Sequence, residues 1–399
     1  MDARLLYEAA FFACLARSQS DSCGPACADT RTGICARPSP CHADRSRPWT
    51  QVLPRRILFA IRSKLGDTLI SFQCVRAFAD AYPQSQVTLL TRSAYASLLR
   101  DEAGIRVIGF DSRIEMALRL LWLRFSEPAF DVLAVLWGSG PPIRLIGQLA
   151  KARRRIAWSR KFAPDIFEEG SLPQDPLLID PATSAIRAFA PDFAAPRVLA
   201  IPSLGARYRR QSGNTAIGIV PIADEARRNL DPPTLLLLIA ELRAKHGGAP
   251  IRVFVNPGNA GSEALIAMAL PAGCELRTFR DLAALVTEYM SLAAWIGTDT
   301  GLYHLAAAVG IPATVFFGPT QPHKIVMPAQ RNVQVFRLTA LGDTHCEEKT
   351  CTRPLCLHAC LAAWSHAAAA TRLDETPKAC PLRALPASAL ENIRDCSPA

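Results

Sequence analysis

The sequence predicts an α/β protein of two Rossmann-like halves. Three observations carry that expectation. Compact apolar runs alternate with helix-like segments from Arg55 to about Ser159, and the same alternation restarts at Thr215 and continues to Gly318. A proline-rich stretch of weak periodicity, residues 161–212, separates the two series. Alternation of this kind builds a parallel sheet covered on both faces, and such sheets bind ligands beyond the carboxyl ends of their strands.

The elements follow in order. "RRILFAIR" reads as a strand buried on both faces, "SKLGD" as a loop, and "TLISFQCVRAFADAYP" as an amphipathic helix stopped by Pro83. "SQVTLLTR", "IRVIGF" and "FDVLAVLWG" are strands; "AYASLLRDEAG", "RIEMALRLLWLRF" and "PPIRLIGQLAKARRR" are helices; "RIAWS" is a short strand. In the second half "TAIGIVPIAD" opens a strand, and "PPTLLLLIAELRAKHG" is a helix with prolines where missing N–H groups cost little and glycine at its end. "IRVFVNPG", "CELRTF", "AAWIG" and "ATVFFG" read as strands, with "SEALIAMALPAG", "DLAALVTEYMSLA" and "LYHLAAAVG" as helices. Residues 53–205 form the expected first domain and 206–365 the second. Residues 161–212 read as an acceptor-side segment followed by a linker.

Residues 1–52 are rich in Cys, Arg, Ser, Asp and Pro and show no sustained apolar period after residue 16, as expected of a poorly ordered extension. "LLYEAAFFACLA" is short, interrupted by Glu8, and lacks a basic front region and a clear cleavage site, so no secretory signal is expected. No apolar run reaches the ~18 residues of a membrane span. A cytoplasmic protein is the expectation. Its net charge of +10 fits peripheral contact with an anionic inner-membrane surface. The thirteen cysteines are odd in number and unevenly placed, which argues against a disulfide scaffold.

Chemistry concentrates at two strand-to-helix corners. "AAWIGTDTGLYHLAAA" puts Asp299 and Thr300 at the carboxyl end of a strand and His304 one turn into the next helix. Either residue can cap that helix, and the free N–H groups around Thr300 to Leu302 make an anion site suited to a phosphate. Gly301 permits close backbone approach. A helix cap and a core imidazole are the structural alternative. In the first half, "ILFAIRSKLGDTLIS" puts Gly66 and Asp67 at the equivalent corner. Asp67 is there either a cap or a general base facing the other domain's anion site.

Together these corners resemble glycosyltransferase family 9, the lipopolysaccharide heptosyltransferases. The resemblance runs from about Leu53 to Trp364. It rests most on "IGTDTGLYHLAAAVGIPATVFFGPTQP", similar to the family's Asp-Thr-Gly-x-x-His-x-Ala-Ala signature and the Gly-Pro-Thr loop beyond it. It implies a GT-B fold, two Rossmann-like domains facing across a cleft, with a C-terminal tail, residues 366–399, that is partly helical. It implies inverting transfer of a sugar, heptose from ADP-heptose above all, onto a glycan or glycolipid acceptor of the cell envelope. Asp67 matches the general base. Asp299, Thr300, Gly301 and His304 match the residues that hold the nucleotide diphosphate. Gly66 and Lys64 fall on the acceptor side.

Arg228, or Arg227 beside it, occupies the region of a family basic residue, although Leu230 and Asp231 stand where the family carries Trp-Pro. Only Glu263 is at hand for the donor's ribose. Arg153, Arg154, Arg155, Arg160 and Lys161 would suit a phosphorylated or Kdo-bearing lipid, and solvated surface charge explains them equally well.

No cofactor is expected, and without an Asp-x-Asp triple no divalent metal either. Cys346, Cys351, Cys356 and Cys360 are weak candidates for one, since their spacing departs from the paired short loops of structural zinc sites. "CLAAW" resembles the end of a Cys-rich stretch that family members carry. The competing expectation is a non-catalytic nucleotide-sugar or glycan-binding protein on the same fold. Nucleic-acid binding is not expected, because no recognition motif accompanies the charge. A dehydrogenase is disfavoured by the lack of Gly-x-Gly-x-x-Gly after any strand.

Overall fold

A computed structural model describes residues 53–337, except 139, 160–162, 174–175, 209–212, 256–265, 268–269, 280 and 319, together with Leu361. The N-terminal extension, Cys346, Cys351, Cys356, Cys360, Glu263, Arg160, Lys161 and the C-terminal tail lie outside the described residues.

The first half alternates β1 (Arg56–Ile61), α1 (Leu65–Ala81), β2 (Gln86–Arg92), α2 (Ser93–Leu99), β3 (Ile105–Phe110), α3 (Arg113–Ser126), β4 (Phe130–Trp137), α4 (Pro141–Leu149), β5 (Ala152–Ala157) and β6 (Glu168–Glu169). Its strands form one parallel sheet in the order β3-β2-β1-β4-β5-β6. Two short helices follow, α5 (Asp180–Arg187) and α6 (Pro202–Arg207). The second half contains β7 (Ala216–Val220), α7 (Pro232–His246), β8 (Ile251–Val255), β9 (Cys274–Thr278), α8 (Leu282–Met290), β10 (Leu292–Thr298), α9 (Gly301–Ala308), β11 (Ala313–Phe317), α10 (Pro322–Ile325) and β12 (Val333–Arg337). Its parallel sheet has the order β12-β11-β10-β7-β8-β9. Counted from its own first strand, the second sheet repeats the order of the first. Each sheet therefore reverses its winding once, between β1 and β4 and between β7 and β10, and leaves a crevice at that switch point.

The apolar pattern explains the layering. One core cluster runs from the inner face of the first sheet (Phe59, Leu89, Ala134) through α1 and α9 to the inner face of the second (Trp295, Val315, Phe317). Separate cores fill the outer faces, beneath α3 and α4 on one sheet and beneath α7 on the other. Helix α1 lies between its own sheet and α9, so eleven of its seventeen residues are buried, polar Thr68, Ser71 and Gln73 among them. The amphipathic helix expected from the sequence is in fact enclosed on most sides, because a second domain covers the face that a single domain would leave wet.

Two sequence expectations need correction. The helix read through "KARRR" ends at Leu149, and Ala152–Ala157 are strand. Beyond β5 lies only the two-residue β6, so its exposed side tolerates arginines. Nor is the stretch before β7 merely a linker. Helix α5 packs on β4, the Leu178 amide donates to the Lys324 carbonyl at 2.8 Å, and the Ile201 amide donates to the Ala308 carbonyl at 3.0 Å. The Leu199 amide donates to Gln330 Oε1 at 2.7 Å. The segment is a strap that fastens one half to the other.

Candidate active site

Both switch points carry a corner with polar side chains. At the first, β1 ends at Ile61 and the chain turns through Arg62, Ser63 and Lys64 into α1. Lys64 is the N-terminal flanking residue and gives no side-chain cap. Asp67 stands in the first helical turn, where the helix dipole favours negative charge. The Ser63 hydroxyl donates to its carboxylate. Burial pushes the Asp67 carboxyl above the usual carboxylate range. The Ser63 hydroxyl, the Lys64 charge and amide, and the Arg228 charge pull against that shift without cancelling it. The result is a carboxylate of raised basicity whose orientation is fixed by a hydroxyl.

At the second corner, Thr300 is the cap of α9, its hydroxyl accepting from the Leu302 amide at 2.9 Å. Asp299 is 4 % exposed and is engaged elsewhere. Arg228 Nη1 donates to its Oδ2 and to its backbone carbonyl, both at 3.1 Å, and Thr320 hydrogen-bonds the same carboxyl. Burial pushes Asp299 above the usual range, and the Arg228 charge is the largest influence opposing it. Arg228 reaches this position from the short 3₁₀ turn after β7, beside β10 at the switch point. Its Nη2 also pairs with Glu225 Oε1 at 2.8 Å, while its buried Nε has no hydrogen-bond partner. Of the two neighbouring arginines, Arg228 reaches Asp299, whereas Arg227 Nε donates to Glu225 Oε2 at 2.9 Å. Leu230 is buried and Asp231 caps α7 by accepting from the Thr234 amide at 3.1 Å, so that pair serves the local fold.

The two corners meet directly. A Cβ placed on Gly66 would lie 2.6 Å from His304 Cδ2, and one placed on Gly301 would lie 3.2 Å from the Gly66 amide nitrogen. These glycines are where α1 and α9 touch. Lys64 bridges the same gap at the surface, its Nζ 3.0 Å from Asp224 Oδ2 in the loop after β7. That pair is largely exposed and contributes little energy. Its value is positional, since it ties the Asp67 loop to the Arg228 loop.

His304 packs against Gly66 and against the Tyr303 ring, with ring centroids 3.9 Å apart. Burial lowers its pKa to about 3. It is therefore a neutral imidazole at physiological pH and brings no positive charge to an anion site. The arginine run is also dispersed. Arg153 faces Asp131 at 3.6 Å, and Arg154 is held by Glu168 and by the Ala188 carbonyl, so these residues do not form one acceptor-facing patch. Among the described residues no group of three or more His, Cys, Asp or Glu side chains gathers to hold a metal.

Sequence reading missed Ser63, Glu225 and Thr320. Ser63 lies four residues before Asp67, and Glu225 lies three before Arg228, a spacing that brings side chains together on a helical turn. Thr320 belongs to the Gly-Pro-Thr loop, which carried a family match but no role.

Two parallel sheets wound in the same order, with the helices at their switch points in contact, match the GT-B fold. Residues 240–356 match the family model of glycosyltransferase family 9 (heptosyltransferase). Solved structures share the fold. A family 9 glycosyltransferase from Veillonella parvula is 15 % identical with a TM-score of 0.59, over 70 % of this chain and 85 % of that one. The ADP-heptose lipopolysaccharide heptosyltransferase II of Escherichia coli is 19 % identical, TM-score 0.56, over 78 % and 99 %. An E. coli heptosyltransferase determined with ADP is 16 % identical, TM-score 0.59, over 73 % and 96 %. No curated protein sequence matches the chain.

Proposed function

We propose that the protein is an inverting, metal-independent glycosyltransferase that moves a sugar, heptose from ADP-heptose first among the candidates, onto a glycan or glycolipid acceptor. The observation that carries this reading is the meeting of Asp67, partly buried and raised in basicity, with the Arg228–Asp299–α9 corner of the opposite sheet.

The acceptor hydroxyl approaches on the Asp67 side. As its oxygen bonds to the anomeric carbon, the proton passes to the Asp67 carboxylate and the bond from that carbon to the diphosphate oxygen breaks. Attack opposite the leaving group inverts the centre. Charge developing on the diphosphate is met by groups fixed in advance: the positive end of the α9 dipole and the Arg228 guanidinium. Asp299 does not bind an anion itself, since two carboxylate oxygens would repel phosphate. It holds Arg228 at its post. His304, being neutral, fills the space beneath Gly66 and sets the distance between the corners. With no Asp-x-Asp triple in the sequence, these groups take the part that a divalent ion plays elsewhere. Two solved neighbours are described with ADP or an ADP-fluoroheptose, which supports an adenine donor here.

A thermal-shift screen of nucleoside diphosphates tests the donor. Stabilisation by ADP and not by UDP or GDP is expected. Equal response to all three, or none, rejects the adenine-nucleotide reading.

A further inference from the structure

Helix α3 is apolar on two opposite sides. Met116, Ala117, Leu120 and Leu123 face the core and are buried. Ile114, Leu118, Trp122 and Phe125 point away from it, 55 %, 52 %, 51 % and 82 % exposed. Their spacing of four, four and three residues places them in one outward stripe about a quarter of the helix circumference wide. Half of the large hydrophobic residues exposed among the described residues stand in this one stripe, the remainder being Leu53, Val198, Leu236 and Leu237. A soluble surface helix ordinarily carries polar residues on that side, and a contiguous apolar patch marks an interaction surface.

The surroundings of the stripe are basic. Arg113, Arg119 and Arg124 lie on the same helix, against a single acidic residue, Glu115, which pairs with Arg119 at 3.3 Å. Arg106, on the sheet-edge strand β3, stacks its guanidinium 5.4 Å from the centroid of the Trp122 ring while also pairing with Glu127. Between strand and helix runs a shallow groove of about 310 Å³, lined by Arg106, Val107, Ile108, Gly109, Arg119 and Trp122.

We infer that this face of α3 docks the protein on an anionic lipid bilayer, with Trp122 and Phe125 entering the acyl boundary and the arginines meeting lipid phosphates. Apolar residues on one face of a helix with arginines beside them, within a protein of net charge +10, make the pattern of an interfacial helix. A second copy of the chain fits less well, because a two-fold contact would set this arginine-bordered patch against itself. The inference does not depend on glycosyl transfer, and vesicle binding is measured without turnover, so either can fail alone.

The test is flotation of the full chain with vesicles of phosphatidylcholine, with and without about one-third phosphatidylglycerol. Binding to the anionic vesicles only is expected, weakened by salt. The variant Leu118→Ser/Trp122→Ser/Phe125→Ser should bind them at least about tenfold more weakly with an unchanged melting temperature, since all three side chains are already exposed. Arg119→Glu/Arg124→Glu, which keeps the stripe, should also lose binding. Wild-type protein that ignores anionic vesicles, or a serine variant that binds as well as wild type, overturns the inference. So does a concentration-dependent dimer, abolished by the serine substitutions, in protein that does not bind vesicles.

Discussion

Replacing Gly66 by alanine tests whether the two corners touch in solution. Gly66 lies in the first turn of α1, and its φ is not in the left-handed region, so alanine suits the backbone there. Judged on the helix alone, the change should stabilise by about 0.5–1 kcal/mol. The contact with His304 says the opposite. The new methyl would stand 2.6 Å from His304 Cδ2, far inside ordinary contact. The imidazole is 4 % exposed and backed by the Tyr303 ring, so it has little room to retreat. Overpacking of this kind costs about 1–3 kcal/mol, which leaves a net loss of up to about 2.5 kcal/mol, or about 1 kcal/mol at mid-range. Urea unfolding at neutral pH measures it, alongside a fall in melting temperature of about 2–4 °C per kcal/mol. A Gly66→Ala protein more stable than wild type would show that α1 and α9 stand apart in solution and refute the contact.

Other consequences follow from the same geometry. His304 is held neutral to about pH 3 by burial, whereas an unfolded imidazole takes a proton near ~6.5. The unfolded chain thus binds the extra proton between those values, so His304 makes stability fall as pH falls, by about 2 kcal/mol at about pH 5. Asp67 and Asp299, raised by burial, work in the opposite direction. The His304 share is therefore read as the difference in acid slope between wild type and His304→Gln, and identical slopes would contradict it. Arg228→Gln strands the buried Asp299 carboxylate and should cost about 3 kcal/mol. Adding Asp299→Asn should restore part of that loss in urea unfolding, and purely additive losses would deny the pairing. The transfer rate should decline on the acid side with an apparent pKa above the ordinary carboxylate value of ~3.9, as the Asp67 shift requires.

Much of this architecture was legible in the sequence, and the exceptions have physical causes. Strands buried on both faces, such as Ile57–Ile61 and Ala313–Phe317, announce themselves as unbroken apolar runs. The helix start at Thr300–Leu302 was readable because strand end, cap and glycine are adjacent in the chain. The boundary at Leu149 was not readable, because three consecutive arginines carry neither helical nor strand periodicity. What settles them as strand is pairing with β4. The enclosure of α1 and the strap through residues 178–201 depend on contacts between halves that no local pattern encodes. The engagement of Asp299 with Arg228, seventy-one residues earlier, is of the same kind. His304 read as part of a motif, yet its neutrality comes from burial where it packs against a glycine in the other half.

The central claim is that Asp67 removes the acceptor proton while the opposite corner holds the diphosphate. The Asp67→Asn protein tests it most directly, through its transfer rate compared with its affinity for ADP. The account predicts a rate lower by about 10²–10⁴-fold with ADP affinity near that of wild type. Turnover equal to that of wild type would contradict it.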